Sequence, residues 1–205
     1  MKKIVFLLSF AFAAQAGYAQ HFGIKAGPTL TTFKGAGATD YDYRLGYTGG
    51  VMLQQHLTQR VGVQAELLYT SKGAKREYSA GGNAVEDKYR LNYVDLPVML
   101  HLSSGGIFVD AGPQISFLNK ARFIRETTSG SGNTTTTVKT DITDQPYQID
   151  FGYVAGLGYR ASSGVGVELR YNGGLKKIDD EGPLVGTERR NSTLLLMFSY
   201  LLPGG

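Results

Sequence analysis

The chain has 205 residues, a formal net charge of +4 and no cysteine. The missing cysteine excludes a disulfide framework and an acylated N-terminal cysteine, and two of the positive charges are Lys2 and Lys3, so the rest is too weakly basic to imply nucleic acid as a partner. With 28 Gly, 13 Tyr and only 6 Pro, the composition argues against disorder and for a β protein with close inner packing.

Lys2 and Lys3 are followed by an apolar run from Ile4 to Ala14, broken only by Ser9, and then by Gly17-Tyr18-Ala19. This predicts a cleaved signal peptide over residues 1–19 and a single domain over residues 20–205. An apolar run of about 11 residues is too short to cross roughly 30 Å of hydrocarbon as a helix, which argues against an uncleaved anchor.

Beyond residue 20 the apolar period is two, the period of a strand. The first predicted strand, His21 to Phe33, sets Phe22, Ile24, Ala26 and Leu30 against Gly23, Lys25, Gly27 and Thr29. The second, Tyr43 to Leu57, sets Leu45, Tyr47, Val51 and Leu53 against Arg44, Gly46, Thr48 and Gly50. The third carries Val61, Val63, Ala65, Leu67 and Tyr69 opposite Gly62, Gln64, Glu66 and Thr70. The fourth ends in Val94, Leu96, Val98, Leu100 and Leu102, but Tyr89, Leu91 and Tyr93 are apolar on the other parity, which predicts a bulge near Tyr93. The fifth runs from Ile107 to Phe117 with Asp110, Gly112, Gln114 and Ser116 on its polar face. The sixth, Ile149 to Tyr159, opposes its apolar residues with Asp150, Gly152, Gly156 and Gly158, and the seventh, from Val165, does so with Gly166, Glu168, Arg170 and Asn172. The eighth, Asn191 to Leu202, is apolar on both faces over Leu194 to Met197.

The connections alternate. Thr58 to Arg60, Ser103 to Gly106 and Ala161 to Gly164 are turns, whereas Lys34 to Asp42, Gly73 to Lys88, Asn119 to Gln148 and Gly174 to Arg190 are long. Short turns on one side and long loops on the other are the pattern of an up-and-down barrel in a bacterial outer membrane, with both termini on the periplasmic side. The expected fold is therefore all-β: an eight-stranded antiparallel transmembrane β-barrel behind a signal peptide. Thr127 to Thr140, rich in Ser, Gly, Thr and Asn, reads as a mobile exposed loop. A soluble lipocalin-like ligand-binding barrel is the structural alternative and would turn the apolar face inward. The glycines and mixed charges of the polar face suit a lumen better than a soluble exterior. Tyr47, Tyr69, Tyr153, Tyr159, Tyr171 and Tyr200 fall on the apolar parity near strand ends, as an interfacial girdle requires.

Several segments resemble the PorT-like family of outer-membrane barrels of Bacteroidetes-type bacteria. They are Glu66-Leu67-Leu68-Tyr69-Thr70-Ser71-Lys72-Gly73-Ala74, the Tyr-x-acid-apolar-Pro run Tyr93-Val94-Asp95-Leu96-Pro97, Ala111-Gly112-Pro113, Asp150-Phe151-Gly152 with Gly156-x-Gly158, and Arg170-Tyr171-Asn172-x-Gly174-Leu175. The resemblance implies a fold and a location. The family's link to type IX protein secretion is not carried over, because most relatives, especially chains this short, have no assigned role.

The charge set expected to face the lumen is Lys25, Arg44, Glu66, Asp95, Asp110, Asp150, Glu168 and Arg170. An eight-stranded barrel has an interior that side chains fill, so these groups are expected to pair as a structural plug rather than to line an ion path. His21, His56 and His101 fall near the periplasmic ends and read as interfacial or turn residues; no two lie at ligand spacing, and no nucleophile motif appears, so no catalytic residue, cofactor or metal site is expected. Asp179-Asp180-Glu181-Gly182 and Asp40-x-Asp42 read as solvated acidic loops rather than Ca²⁺ sites, and Asn133-Thr134-Thr135 matches a glycosylation sequon. The expected partners are outer-membrane lipid and, through the long loops, an envelope protein or surface ligand. A structural or interaction role in the cell envelope follows by elimination, with a narrow pore or transporter, or a secretion-assembly component, as rivals.

Overall fold

The computed structural model describes residues 20–131, 134–178 and 188–202. The signal-peptide expectation, the acidic cluster at residues 179–182 and the sequon's Asn133 lie outside the described residues.

Among the described residues nine strands follow in chain order: β1 Gln20–Lys34, β2 Arg44–His56, β3 Val61–Ala80, β4 Asn83–Ser104, β5 Ile107–Thr128, β6 Thr135–Asp141, β7 Ile149–Arg160, β8 Val165–Gly174 and β9 Arg190–Leu201. Eight of them close an antiparallel ring in which each strand pairs with its neighbour in the chain, β5 passes to β7, and β9 returns to β1. β6 stands outside the ring. β5 pairs with β7 from Ile107 to Phe117, then changes partner and pairs with β6 from Arg122 to Thr128. The register of β4 on β5 shifts between Asn92 and Tyr93, where the change of parity in the sequence calls for a bulge.

The apolar face of every ring strand points outward. Leu45 is 69% exposed, Leu157 58% and Phe198 57%, while Lys25, Glu66, Asp110 and Arg170 on the opposite parity are buried. This inversion excludes a lipocalin-like arrangement, in which the apolar residues would enclose the ligand. Tyr47 stacks on Tyr69 at 6.4 Å between ring centres and Tyr153 packs beside Tyr171 at 6.1 Å, as paired members of an aromatic girdle.

Two stretches expected to be loops are mostly strand. β3 and β4 continue past Tyr69 and join at Gly81-Gly82, both with positive φ (57° and 78°), the backbone a two-residue hairpin turn demands. The Thr-rich tract, expected to be mobile, forms β6 and the end of β5. Its β-branched residues favour extended backbone, and β5 offers them an unpaired edge. Every residue of β6 is exposed, so no apolar alternation betrays the strand in the sequence. β3, β4, β5 and β6 together extend outward beyond the girdle on the long-loop side.

The interior is layered. Towards the turns charged and amide side chains are interleaved with Met52, Met99, Phe108 and Met197; towards the long loops an apolar cluster of Phe33, Leu91, Tyr93, Leu118, Ile142 and Ile178, among others, closes over them.

Candidate functional site

The lower lumen is built by inward-facing residues of β1, β3, β4, β5 and β8. Lys25 Nζ donates to Glu66 Oε1 and to Glu168 Oε2, each at 2.7 Å. Arg170 donates through Nη1 and Nη2 to Glu66 at 2.6 and 2.9 Å and through Nε to Glu168 at 2.7 Å. Gln64 Nε2 donates to Glu66 Oε1 at 2.7 Å and reaches Asp110 Oδ2 at 3.3 Å; the other Asp110 oxygen lies 2.6 Å from His101 Nδ1. The side chains of Lys25, Glu66, Glu168 and Arg170 are at most 1% exposed. Gly156 makes room for the pair on β8: a Cβ there would lie 2.3 Å from Glu168 Oε1.

A second group sits nearer the long loops. Lys72 Nζ donates to Asp95 Oδ1 at 2.8 Å and to Ser116 Oγ at 3.1 Å, and lies 4.7 Å above the Tyr93 ring. Asp150 accepts from Asn191 Nδ2 at 2.9 Å. Arg44 donates to the Lys72 carbonyl and the Ser71 hydroxyl rather than to a carboxylate. The eight charged residues expected in the lumen are all buried there, but they divide: Lys25, Glu66, Asp110, Glu168 and Arg170 converge, while Asp95, Asp150 and Arg44 sit apart from that group. A void of about 10 Å³ bordered by Lys72, Gln114, Asp150, Asn172 and Asn191 has room for no more than about one water.

Gln64 and His101 fall on the polar parity of their strands in the sequence, but sequence reasoning did not name them, Lys72 or Asn191 as members of these groups. For Lys72 the signal was available, since it continues the inward parity of Gln64, Glu66 and Thr70 by one further step. His101 corrects an expectation: it is a buried lumen residue, 1% exposed, held by Asp110, not an interfacial or turn residue. The three histidines, far apart in the chain, are also neighbours in space. The His21 and His56 rings lie 5.6 Å apart and those of His56 and His101 6.2 Å apart. No group of three metal-ligating side chains has metal-binding geometry among the described residues.

The long-loop end opens into a cup of about 460 Å³ that the sequence did not reveal, because its lining comes from several strands and loops. Tyr41, Tyr89 and Phe123 form an aromatic wall resting on Phe33, with ring centres 5.0 to 6.0 Å apart. Arg125 grips Asp87 with two hydrogen bonds of 2.7 and 2.9 Å, Arg76 approaches the same carboxylate at 3.6 Å, and Arg189 donates to the Tyr41 hydroxyl. Burial, and then Tyr41, push the Tyr89 hydroxyl well above the ordinary tyrosine range, so it stays protonated. Among the described lining residues there is no His, Ser or Cys.

The model of a family described as outer membrane protein beta-barrel domain matches residues 13–180. No curated protein sequence matches the chain. Among solved structures, Ail, the attachment invasion locus protein of Yersinia pestis, is 13% identical with a TM-score of 0.48, covering 89% of this chain and 98% of its own. Neisserial surface protein A is 11% identical with a TM-score of 0.48, covering 87% and 96%. The outer membrane protease OmpT from Escherichia coli is 9% identical with a TM-score of 0.39, covering 89% and 96%. The family match, rather than these likenesses, carries the assignment.

Proposed function

The chain belongs to the outer membrane protein beta-barrel domain family, and from that premise we propose that it is a PorT-like barrel with a filled lumen and a structural or interaction role at the cell surface, not a catalyst. It lies in the outer membrane. The observation that carries the reading is the lower lumen network: Lys25, Glu66, Glu168 and Arg170 occupy with their own hydrogen bonds the space an ion would need. Groups so deeply buried are costly unless fully paired, and once paired they stiffen β1, β3 and β8, the three strands that carry them. The Tyr-x-acid-apolar-Pro run supports the PorT-like placement, with Tyr93 and Asp95 buried on the lumen side.

Reconstituted in a planar bilayer, the protein gives no stable unitary conductance, and Glu66→Ala lowers thermal stability without opening a discrete channel. A reproducible unitary current from the unmodified protein would overturn the filled-lumen reading in favour of a narrow pore. A second reading, a loop-mediated binder of a surface ligand, is favoured by the cup itself, which pairs an aromatic wall with Arg76, Arg125 and Arg189 at a size typical of ligand sites. Arg76→Ala together with Tyr41→Ala leaves the barrel folded and removes any ligand captured by intact cells; retention of that ligand would exclude the cup as its site.

A further inference from the structure

At the opposite end the three tight turns surround a vestibule of about 660 Å³, and its lining is one-sided in charge. Arg60, Arg160, His56 and His101 border it, together with Ser103 and Ser104, and no Asp or Glu does so among the described residues. Arg160 lies over the Phe108 ring at 5.0 Å and donates one Nη1 bond, at 2.7 Å, to Gln54 Oε1. Its Nε and Nη2 groups are buried with no hydrogen-bond partner, and so is Nε2 of Gln54, a residue that is 0% exposed. Unsatisfied buried donors are costly, and here all three N–H groups sit at one end of the lumen.

The neighbouring acids do not answer them. Glu66 is taken by Lys25, Gln64 and Arg170, Glu168 by Lys25 and Arg170, and Asp110 by His101 and Gln64. With neutral histidines, three acids (Glu66, Glu168, Asp110) balance three bases (Lys25, Arg170, Arg160), leaving the exposed Arg60 in excess. A group that accepts from Arg160 would therefore bring a negative charge that Arg60, bordering the same vestibule, offsets. His56 and His101 border the same space: His56 faces His21 on β1, His101 on β4 and Arg160 on β7, and His101 is held by Asp110 on β5.

We infer that the periplasmic vestibule is a binding site for an oxyanion, a phosphate or carboxylate group held by Arg160 and Arg60 beside His56 and His101. The site is separate from the outer cup and does not depend on whether the lumen conducts. A phosphate could be presented by a soluble molecule or by the headgroup of an inner-leaflet phospholipid; the recognising chemistry is the same.

The test is titration of the full-length mature protein, in dodecyl maltoside micelles that carry no phosphate, with inorganic phosphate followed by phosphorus NMR, and with acetate as the carboxylate probe. Expected is saturable binding of at least one anion at constant pH, weakened progressively as salt is raised, because the contacts are ionic. Arg160→Gln weakens it by about tenfold or more, and Lys88→Gln on the outer strand extension leaves it unchanged. Should Arg160→Gln fail to give a heat-modifiable barrel, the exposed Arg60→Gln, expected to weaken binding several-fold, takes its place. Competition by micellar phosphatidylglycerol assigns the site to a lipid headgroup, and its absence assigns it to a soluble anion; both support the site. No saturable binding, or binding indifferent to both arginine variants, overturns it.

Discussion

The lower lumen and the outer extension of β3, β4 and β5 are cross-linked by the same kind of contact in opposite surroundings. In the lumen, Arg170 and Glu66 meet at 2.6 Å with both side chains fully buried. On the extension, Lys88 meets Glu86 at 2.8 Å and Glu126 at 3.0 Å with all three side chains between about a quarter and a third exposed. Equal distances do not mean equal consequence. The exposed ions trade water for one another at little gain, whereas each buried ion has lost its water and depends on its partner. Two regions rich in ion pairs therefore play different parts: one closes the lumen, the other dresses a strand surface.

Removing a lumen partner should have the largest effect. Arg170→Ala leaves the two buried carboxylates of Glu66 and Glu168 to share Lys25 as their one cation and is expected to cost about 3–5 kcal/mol, read from urea-induced loss of the fast-migrating folded band in unheated gels. Next comes the apolar layer above it. Leu91, 1% exposed in the cluster with Tyr93 and Leu118, should cost about 2–4 kcal/mol as Leu91→Ala by the same assay. Smallest is Lys88→Ala, expected to change stability by less than about 1 kcal/mol. Burial pulls the Lys88 ammonium down, but its bonds to Glu86 and Glu126 outweigh that and hold it above the ordinary lysine value. Since those bonds face water, raising the salt to about 1 M should erase the Lys88 effect and leave that of Arg170 intact. A Lys88 variant as damaging as the Arg170 variant would break the contrast.

The ring itself was legible because lipid and lumen impose opposite demands on successive residues, so Phe22, Ile24 and Lys25 declare their faces by composition alone. The bulge at Tyr93 was legible for the same reason, as a change of parity. β6 was not: Thr135 to Asp141 meets water on both faces, and a strand with no buried face leaves no alternation to read. The lumen charges could be named but not partnered, because pairing depends on depth along each strand. Arg170 reaches Glu66 across 104 positions of chain, while Arg44, equally inward, settles on backbone and hydroxyl oxygens. The outer cup and the histidine cluster escaped because each is assembled from separate strands and loops, with no spacing rule to connect Tyr41 with Phe123 or His21 with His101.

A double-mutant cycle on Glu66 and Arg170, with Glu66→Ala, Arg170→Ala and the double variant unfolded side by side, tests most directly whether the lumen network acts as a unit. The double variant should be less destabilised than the sum of the single variants, with a coupling on the order of 2–3 kcal/mol. Additivity to within about 0.5 kcal/mol would contradict the account, because it would mean that the two groups fill the lumen side by side without depending on each other.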